Sequence, residues 1–79
     1  MKPKPTTSSK LEKYLFKLCF EKIRQKGSHV FYKHSDGRYT TIPHHKGRVL
    51  SPLLIKMILK EIKISVEEYN KEIDKIWKI

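Results

Sequence analysis

At Phe20 the spacing of the apolar residues changes, and that change limits what the chain can fold into. Before it, Leu11, Tyr14, Leu15, Leu18 and Cys19 fall at i, i+3, i+4, i+7 and i+8, one stripe of a helix whose other side carries Lys10, Lys13 and Lys17. After it come three short runs, "FEKIRQK", "SHVFYKH" and "RYTTIP", the last two rich in β-branched and aromatic residues. Gly27 and Asp36-Gly37 divide them, as turns divide strands. Past the loop "HHKGRVL" the helical period returns, with Leu53, Leu54, Met57, Ile58 and Ile62 on one side. Val66, Tyr69, Ile73, Ile76 and Trp77 repeat it once more. The predicted fold is α+β: a helix, a three-stranded antiparallel sheet, a helix, and an extra C-terminal helix.

Local signals place the helix starts. Ser9 and Glu12 have capping-box spacing, as do Ser65 and Glu68, and Ser51 precedes a proline at the first helical position. Residues 1–8 hold two prolines and small hydroxyls and read as a loose arm. The expected division is therefore an arm over 1–8, a domain over 9–65 and a helix over 66–79. Taking Asp36-Gly37 as a two-residue turn sets Phe31 opposite Ile42, Val30 opposite Pro43, and His29 opposite His44. One face then carries His29, Phe31, Lys33, Thr40, Ile42 and His44, and this Phe31–Ile42 face is expected to pack inward.

With 79 residues the chain makes one small domain. Its net charge of +10 is not carried by a tail: residues 1–66 hold fifteen Lys and Arg against four acids. Such a body attracts phosphate backbones, anionic lipid or an acidic protein, although lysine also serves plain solubility. No apolar run is long enough to cross a bilayer, and the polar start "MKPKPTTSSK" lacks the core of a signal peptide. Cys19 is the only cysteine, so no intramolecular disulfide forms and a cytoplasmic setting is expected. Its place on the apolar stripe reads as core.

All four histidines, His29, His34, His44 and His45, lie in one segment of seventeen residues. Metal binding is the obvious use of such a cluster. Adjacent His44 and His45 point opposite ways on extended backbone, however, and no carboxylate or cysteine completes a ligand spacing, so neither metal nor cofactor is expected. A Ser28–His29 nucleophile pair fails for the same reason, since strand neighbours face opposite sides.

"F..IRQKGSH" from Phe20 to His29, "DGR" at 36–38, "IPHHKGR" at 42–48 and the helix "LLIKMILKEIKIS" together resemble the HicA family of toxin ribonucleases. The resemblance covers roughly residues 9–65. It implies a fold similar to the double-stranded-RNA-binding domain, cleavage of mRNA without a metal, and a HicB-type acidic antitoxin as partner. Gly27, Ser28 and His29 match the family's GSH motif, which implies for His29 the role of catalytic histidine. Pro43, His45 and Gly47 match the second motif. Cys19 stands where the family commonly has glycine, and the helix from residue 66 exceeds the family core.

The implied chemistry suits these residue types. RNA carries its own nucleophile, the 2′-hydroxyl, so an enzyme has to remove a proton, return one to the leaving oxygen and stabilise charge on the phosphate. Histidine titrates near neutrality and serves the first two tasks. Lys and Arg serve the third. Expected contacts to RNA are Arg24, Lys26, Gly27, Ser28, His44, His45 and Lys46, with Gly27 permitting close approach of a backbone. His34 is expected to be a solvated hairpin residue, and the free chain a monomer. The competing expectation is a non-catalytic RNA-binding module gripping A-form RNA through Lys22, Arg24, Lys26, Lys33 and Lys46. DNA binding is less favoured, because no helix-turn-helix with base-reading residues is present.

Overall fold

A computed structural model describes residues 1–76 of the chain. Helix α1 (Ser8–Lys17) leads into strands β1 (Glu21–Lys26), β2 (His29–Lys33) and β3 (Tyr39–Pro43), then α2 (Pro52–Ile62) and α3 (Val66–Glu72), which tightens into a 3₁₀ turn over Ile73–Lys75. The three strands form one antiparallel sheet in the order β1-β2-β3. This is the expected αβββα order with a further helix. Trp77, assigned by periodicity to the last helix, lies outside the described residues.

The helix starts follow local chemistry, with one correction. Ser51 and Ser65 cap α2 and α3, accepting from the backbone N–H of Leu54 and Glu68, and Pro52 opens α2. At α1 the cap is Thr7, whose hydroxyl accepts from the Lys10 N–H. The Ser9–Glu12 box is not formed, because the helical ladder already begins with the Leu11 N–H donating to the Thr7 carbonyl. Ser9 sits inside the first turn.

Helices α1 and α2 end alike. Phe20 donates to the Leu15 carbonyl and Cys19 to that of Phe16; Ile64 donates to Leu59 and Lys63 to Lys60. This is the Schellman pattern, and it puts Cys19 at φ 71 and Lys63 at φ 59, the left-handed region where glycine is preferred. Cys19 is therefore not core, as its position on the stripe suggested, but exposed. The left-handed turn swings it off the helix face and delivers Phe20 to the core in its place.

The hairpin corrects the expected register by one residue. His34 donates to the Arg38 carbonyl and Gly37, at φ 100, donates to His34. Ser35, Asp36 and Gly37 thus form a three-residue loop, a tight turn followed by a left-handed glycine. Asp36 holds it by accepting from the Arg38 N–H and guanidinium. The pairs are His29–Pro43, Val30–Ile42, Phe31–Thr41, Tyr32–Thr40 and Lys33–Tyr39. A slip of one residue turns a strand over. Ile42 and Thr40 face inward as expected, but their β2 companions are Val30 and Tyr32, while Phe31 lies on the other face.

The core lies between the inner face of the sheet and the helices. Leu11, Tyr14 and Leu15 of α1 meet Val30, Tyr32 and Ile42, and Ile55, Ile58, Leu59 and Ile62 close the α2 side. The α2 stripe is rotated from the expected one: Ile55 and Leu59 are buried, whereas Leu53 and Met57 are exposed. Most of α2 is apolar, so periodicity alone did not select a face. Tyr69, Ile73 and Ile76 are buried, so the last helix packs on its own domain. The segment expected as a loose arm is laid against it. Lys4 donates from its backbone to Asn70 and from Nζ to Asp74, Tyr69 donates to the Lys4 carbonyl, and Thr7 pairs with Val49 as a single bridge.

Candidate functional site

The turn between β1 and β2 is the two-residue step Gly27-Ser28, since Lys26 pairs with His29. Gly27 has φ 59, as the first central residue of a type II′ turn requires. A Cβ at Gly27 would meet nothing within 4 Å, so backbone conformation rather than crowding sets the need for glycine. This gives the GSH triplet a physical meaning. Glycine makes the turn, serine completes it, and histidine is the first side chain of the next strand.

His29 stands on the sheet face turned away from the core, where α2 flanks it. It is exposed, and its imidazole makes no hydrogen bond or ion pair among the described residues. At its side a shallow pocket of about 220 Å³ is lined by Thr41, Pro43, Leu54, Met57, Ile58 and Glu61 as well as His29. Glu61 is held there by the Thr40 hydroxyl, which donates to its Oε1 at 2.7 Å.

A bulge brings positive charge to the same face. The β1–β2 register shifts between Lys22 and Arg24, so Lys22 pairs with inward-facing Tyr32 while Arg24 pairs with Phe31 and Lys26 with His29. In an unbroken strand Lys22, Arg24 and Lys26 would share one face. The extra residue at Ile23 turns the last two over to join His29. This bulge has no glycine to mark it, so it was not foreseen from the residues.

His44 belongs elsewhere. The expected register put it beside His29, but His29 pairs with Pro43, and the His44 side chain turns to the helix side. There Nε2 is 2.9 Å from the Tyr32 hydroxyl, which is 2.5 Å from Glu12 Oε2. A tyrosine hydroxyl has one proton. Donating it to the carboxylate leaves its oxygen to accept, so His44 Nε2 carries the hydrogen in this chain of bonds. Burial pushes the His44 pKa below its usual value; Glu12 opposes that shift and Lys22 adds to it. Burial, then the bond and charge of Glu12, pushes Tyr32 well up, so it stays a neutral phenol.

The remaining candidates line a second hollow of about 200 Å³, formed by Thr7, Ser8 and Ser9 at the start of α1 with His44, His45, Lys46 and Gly47. His45 and Lys46 are exposed. The Ser8 hydroxyl donates to the Pro43 carbonyl and the His44 N–H to that of Ser28, which ties this loop to the Gly27-Ser28 turn. His34, expected to be solvated, is half-buried, with Nδ1 accepting from the Asp36 N–H and its ring edge-on to Phe20. Arg38 of the "DGR" run donates to the Ile62 carbonyl at 2.6 Å, covering the C-terminus of α2.

The structure thus gathers Arg24, Lys26, Gly27, Ser28 and His29 at one edge of the open face, and sets His44, His45 and Lys46 around the far side of the Pro43–His44 step. Residues missed in the sequence are Glu61 and Thr41 beside His29, and the Glu12–Tyr32 pair that holds His44. None has a local signal, since each depends on register. Among the described residues no group of three or more His, Cys, Asp or Glu is placed to hold a metal ion, and no helix is long and apolar enough to cross a membrane.

Comparison with protein families gives a match to the family described as the HicA toxin of bacterial toxin-antitoxin, over residues 8–64. Comparison with curated proteins gives no match.

Proposed function

Since the chain belongs to the HicA toxin family of bacterial toxin-antitoxin systems, we propose that it is a cytoplasmic endoribonuclease that cleaves mRNA with His29 as its general base. The observation that carries this is the state of His29: an exposed imidazole on the open face, without a partner among the described residues, directly after a glycine turn and paired with Lys26. His29 takes the proton from the 2′-hydroxyl, and the oxygen attacks the adjacent phosphorus. The bond to the 5′-oxygen breaks, and water protonates that oxygen. The products are a 2′,3′-cyclic phosphate and a 5′-hydroxyl. Lys26 and Arg24 balance the charge that builds on the phosphate. A single positioned base contributes roughly 10²–10⁴-fold in rate, the scale of a slow enzyme.

His44 has the role of a structural anchor in this reading, while His45 and Lys46 extend the positive surface for the RNA backbone. The same charges attract a HicB-type acidic antitoxin, which binds the monomeric toxin and covers His29. The test is a gel of defined RNA incubated with the purified protein in EDTA. Cleavage to cyclic-phosphate ends is expected from the native chain and not from His29→Ala. Equal cleavage by both proteins excludes His29 as the base.

A further inference from the structure

One residue from each strand makes a continuous strip across the open face. Arg24 of β1 pairs with Phe31 of β2, and its guanidinium carbon lies 4.7 Å from the centre of the Phe31 ring. The Phe31 ring is 6.2 Å from that of Tyr39 on β3, the planes tilted by 41°. Phe31 pairs with Thr41 and Lys33 with Tyr39, so Tyr39 is the diagonal neighbour of Phe31 on the face opposite Val30, Tyr32, Thr40 and Ile42. Neither ring belongs to the core cluster, and Tyr39 is 42 % exposed.

A cross-strand aromatic pair adds cohesion to any sheet. That does not account for leaving two rings and a guanidinium together outside the core, on the sheet face opposite it, flanked by Lys26 and Lys33. Flat π surfaces bordered by cations are what unpaired nucleotides bind. The bases stack on rings and on guanidinium planes, while the lysines meet the phosphates. A duplex cannot use such a strip, because its bases are already stacked on one another inside the helix.

The strip also has a fixed place relative to the reactive side chain. Phe31 follows His29 by two residues on the same strand and face, a separation of about 7 Å. A base stacked on Phe31 therefore has its own sugar and phosphate beside the imidazole. We propose that Arg24, Phe31 and Tyr39 form a base-stacking platform that holds single-stranded RNA across the open face and presents an unpaired nucleotide to His29. The proposal takes the ribonuclease function as its premise and names the substrate class within it: RNA that is unpaired around the cleaved bond, read by stacking rather than by base-edge hydrogen bonds.

The test uses the full-length chain and a fluorescent 2′-O-methyl oligoribonucleotide, which lacks the nucleophile and stays intact. Its affinity is measured by anisotropy, single-stranded and annealed to its complement, alongside cleavage of the matching RNA. The native chain is expected to prefer the single strand. Tyr39→Ala and Phe31→Leu should each weaken single-strand binding about ten-fold, lower kcat/KM in step and leave duplex binding unchanged. Tyr39→Phe keeps the ring and should restore both. Circular dichroism checks folding, and exposed Tyr39 keeps the test decisive even if Phe31→Leu is destabilised. Native affinity and cleavage in the Tyr39→Ala protein, or a native preference for the duplex, overturns the platform while the ribonuclease reading stands. Variants that bind RNA normally but lose an antitoxin would mark the strip as a protein-docking face and also overturn it. A native chain that neither binds nor cleaves any RNA overturns the ribonuclease reading itself.

Discussion

The two faces of the sheet each hold a histidine, and they treat it in opposite ways. On the open face His29 is bare of partners among the described residues, with lysine and arginine beside it. On the helix side His44 is locked to Tyr32 and through it to Glu12. In the proposed reaction the base accepts a proton from outside the protein, which favours the imidazole that the fold leaves unbonded. The bonded one ties the second-motif loop to α1 and β2. Residue type and proximity in sequence do not separate these two environments, but the face does.

The sharpest way to break the comparison is to remove each histidine in turn. His29→Ala should cut cleavage by roughly 10²–10⁴-fold and leave the melting temperature within a degree or two. His44→Ala should do the reverse, lowering stability while the folded fraction still cleaves. Cleavage rates and thermal melts of the two proteins decide it. If His44→Ala loses as much activity at full stability, the division of labour between the faces is wrong.

Tyr32→Phe sharpens the same point without touching either imidazole. Tyr32 is fully buried, and its hydroxyl serves both Glu12 and His44. Removing it leaves a carboxylate and an imidazole short of a partner in a part-buried site, at a cost of about 1–2 kcal/mol. For a domain of this size that lowers the melting temperature by roughly 4–16 °C. Cleavage by the folded protein should be unchanged. A variant as stable as the native chain would show that the hydroxyl network carries no stabilisation.

A smaller effect follows from pH. Burial lowers the His44 pKa in the folded chain, so between that value and the ordinary 6.5 the unfolded chain binds more protons. Stability contributed by neutral His44 is complete above about pH 6.5 and fades as pH falls toward the folded-state value. The native melting temperature should therefore drop on going from pH 7 to pH 5, and the drop should shrink in His44→Gln. Identical slopes for the two proteins would remove His44 as the cause.

The faces themselves were only half legible in the sequence. Ser51, Pro52, Ser65 and the Leu11, Tyr14 and Leu15 part of the α1 stripe act within a turn or two of their own position, and each was placed correctly. The register is not local. It hangs on whether Asp36-Gly37 is the whole turn or the end of a three-residue loop, and the bond from His34 to Arg38 decides that. One residue of loop length moved Phe31 from the expected core to the open face and parted His44 from His29. The bulge at Ile23 and the rotation of α2 are similar cases, settled by packing among elements far apart in the chain. His29, Gly27 and Lys26 were legible because a motif named the first two and the third is their neighbour. Tyr39 and Glu61 had no such marker.

The smallest predicted effect comes from the scaffold alone, and it shows whether stability and cleavage can be moved apart. Cys19 ends α1 at φ 71, where a side chain crowds the backbone and glycine does not. Relief of that strain is worth about 1–2 kcal/mol, and the greater freedom of glycine in the unfolded chain takes back part of it. Cys19→Gly should therefore stabilise by about 0.5–1 kcal/mol, a rise of roughly 2–8 °C in melting temperature. The position lies past the last helical residue, so the poor helix propensity of glycine does not enter. Cys19→Ala is the control: it removes the thiol but keeps the Cβ, so it should gain nothing. Equal gains from both substitutions would trace the effect to the thiol and not to the backbone. Cleavage should match the native rate in both proteins, because the strain sits at the C-terminus of α1 and His29 faces away from it across the sheet.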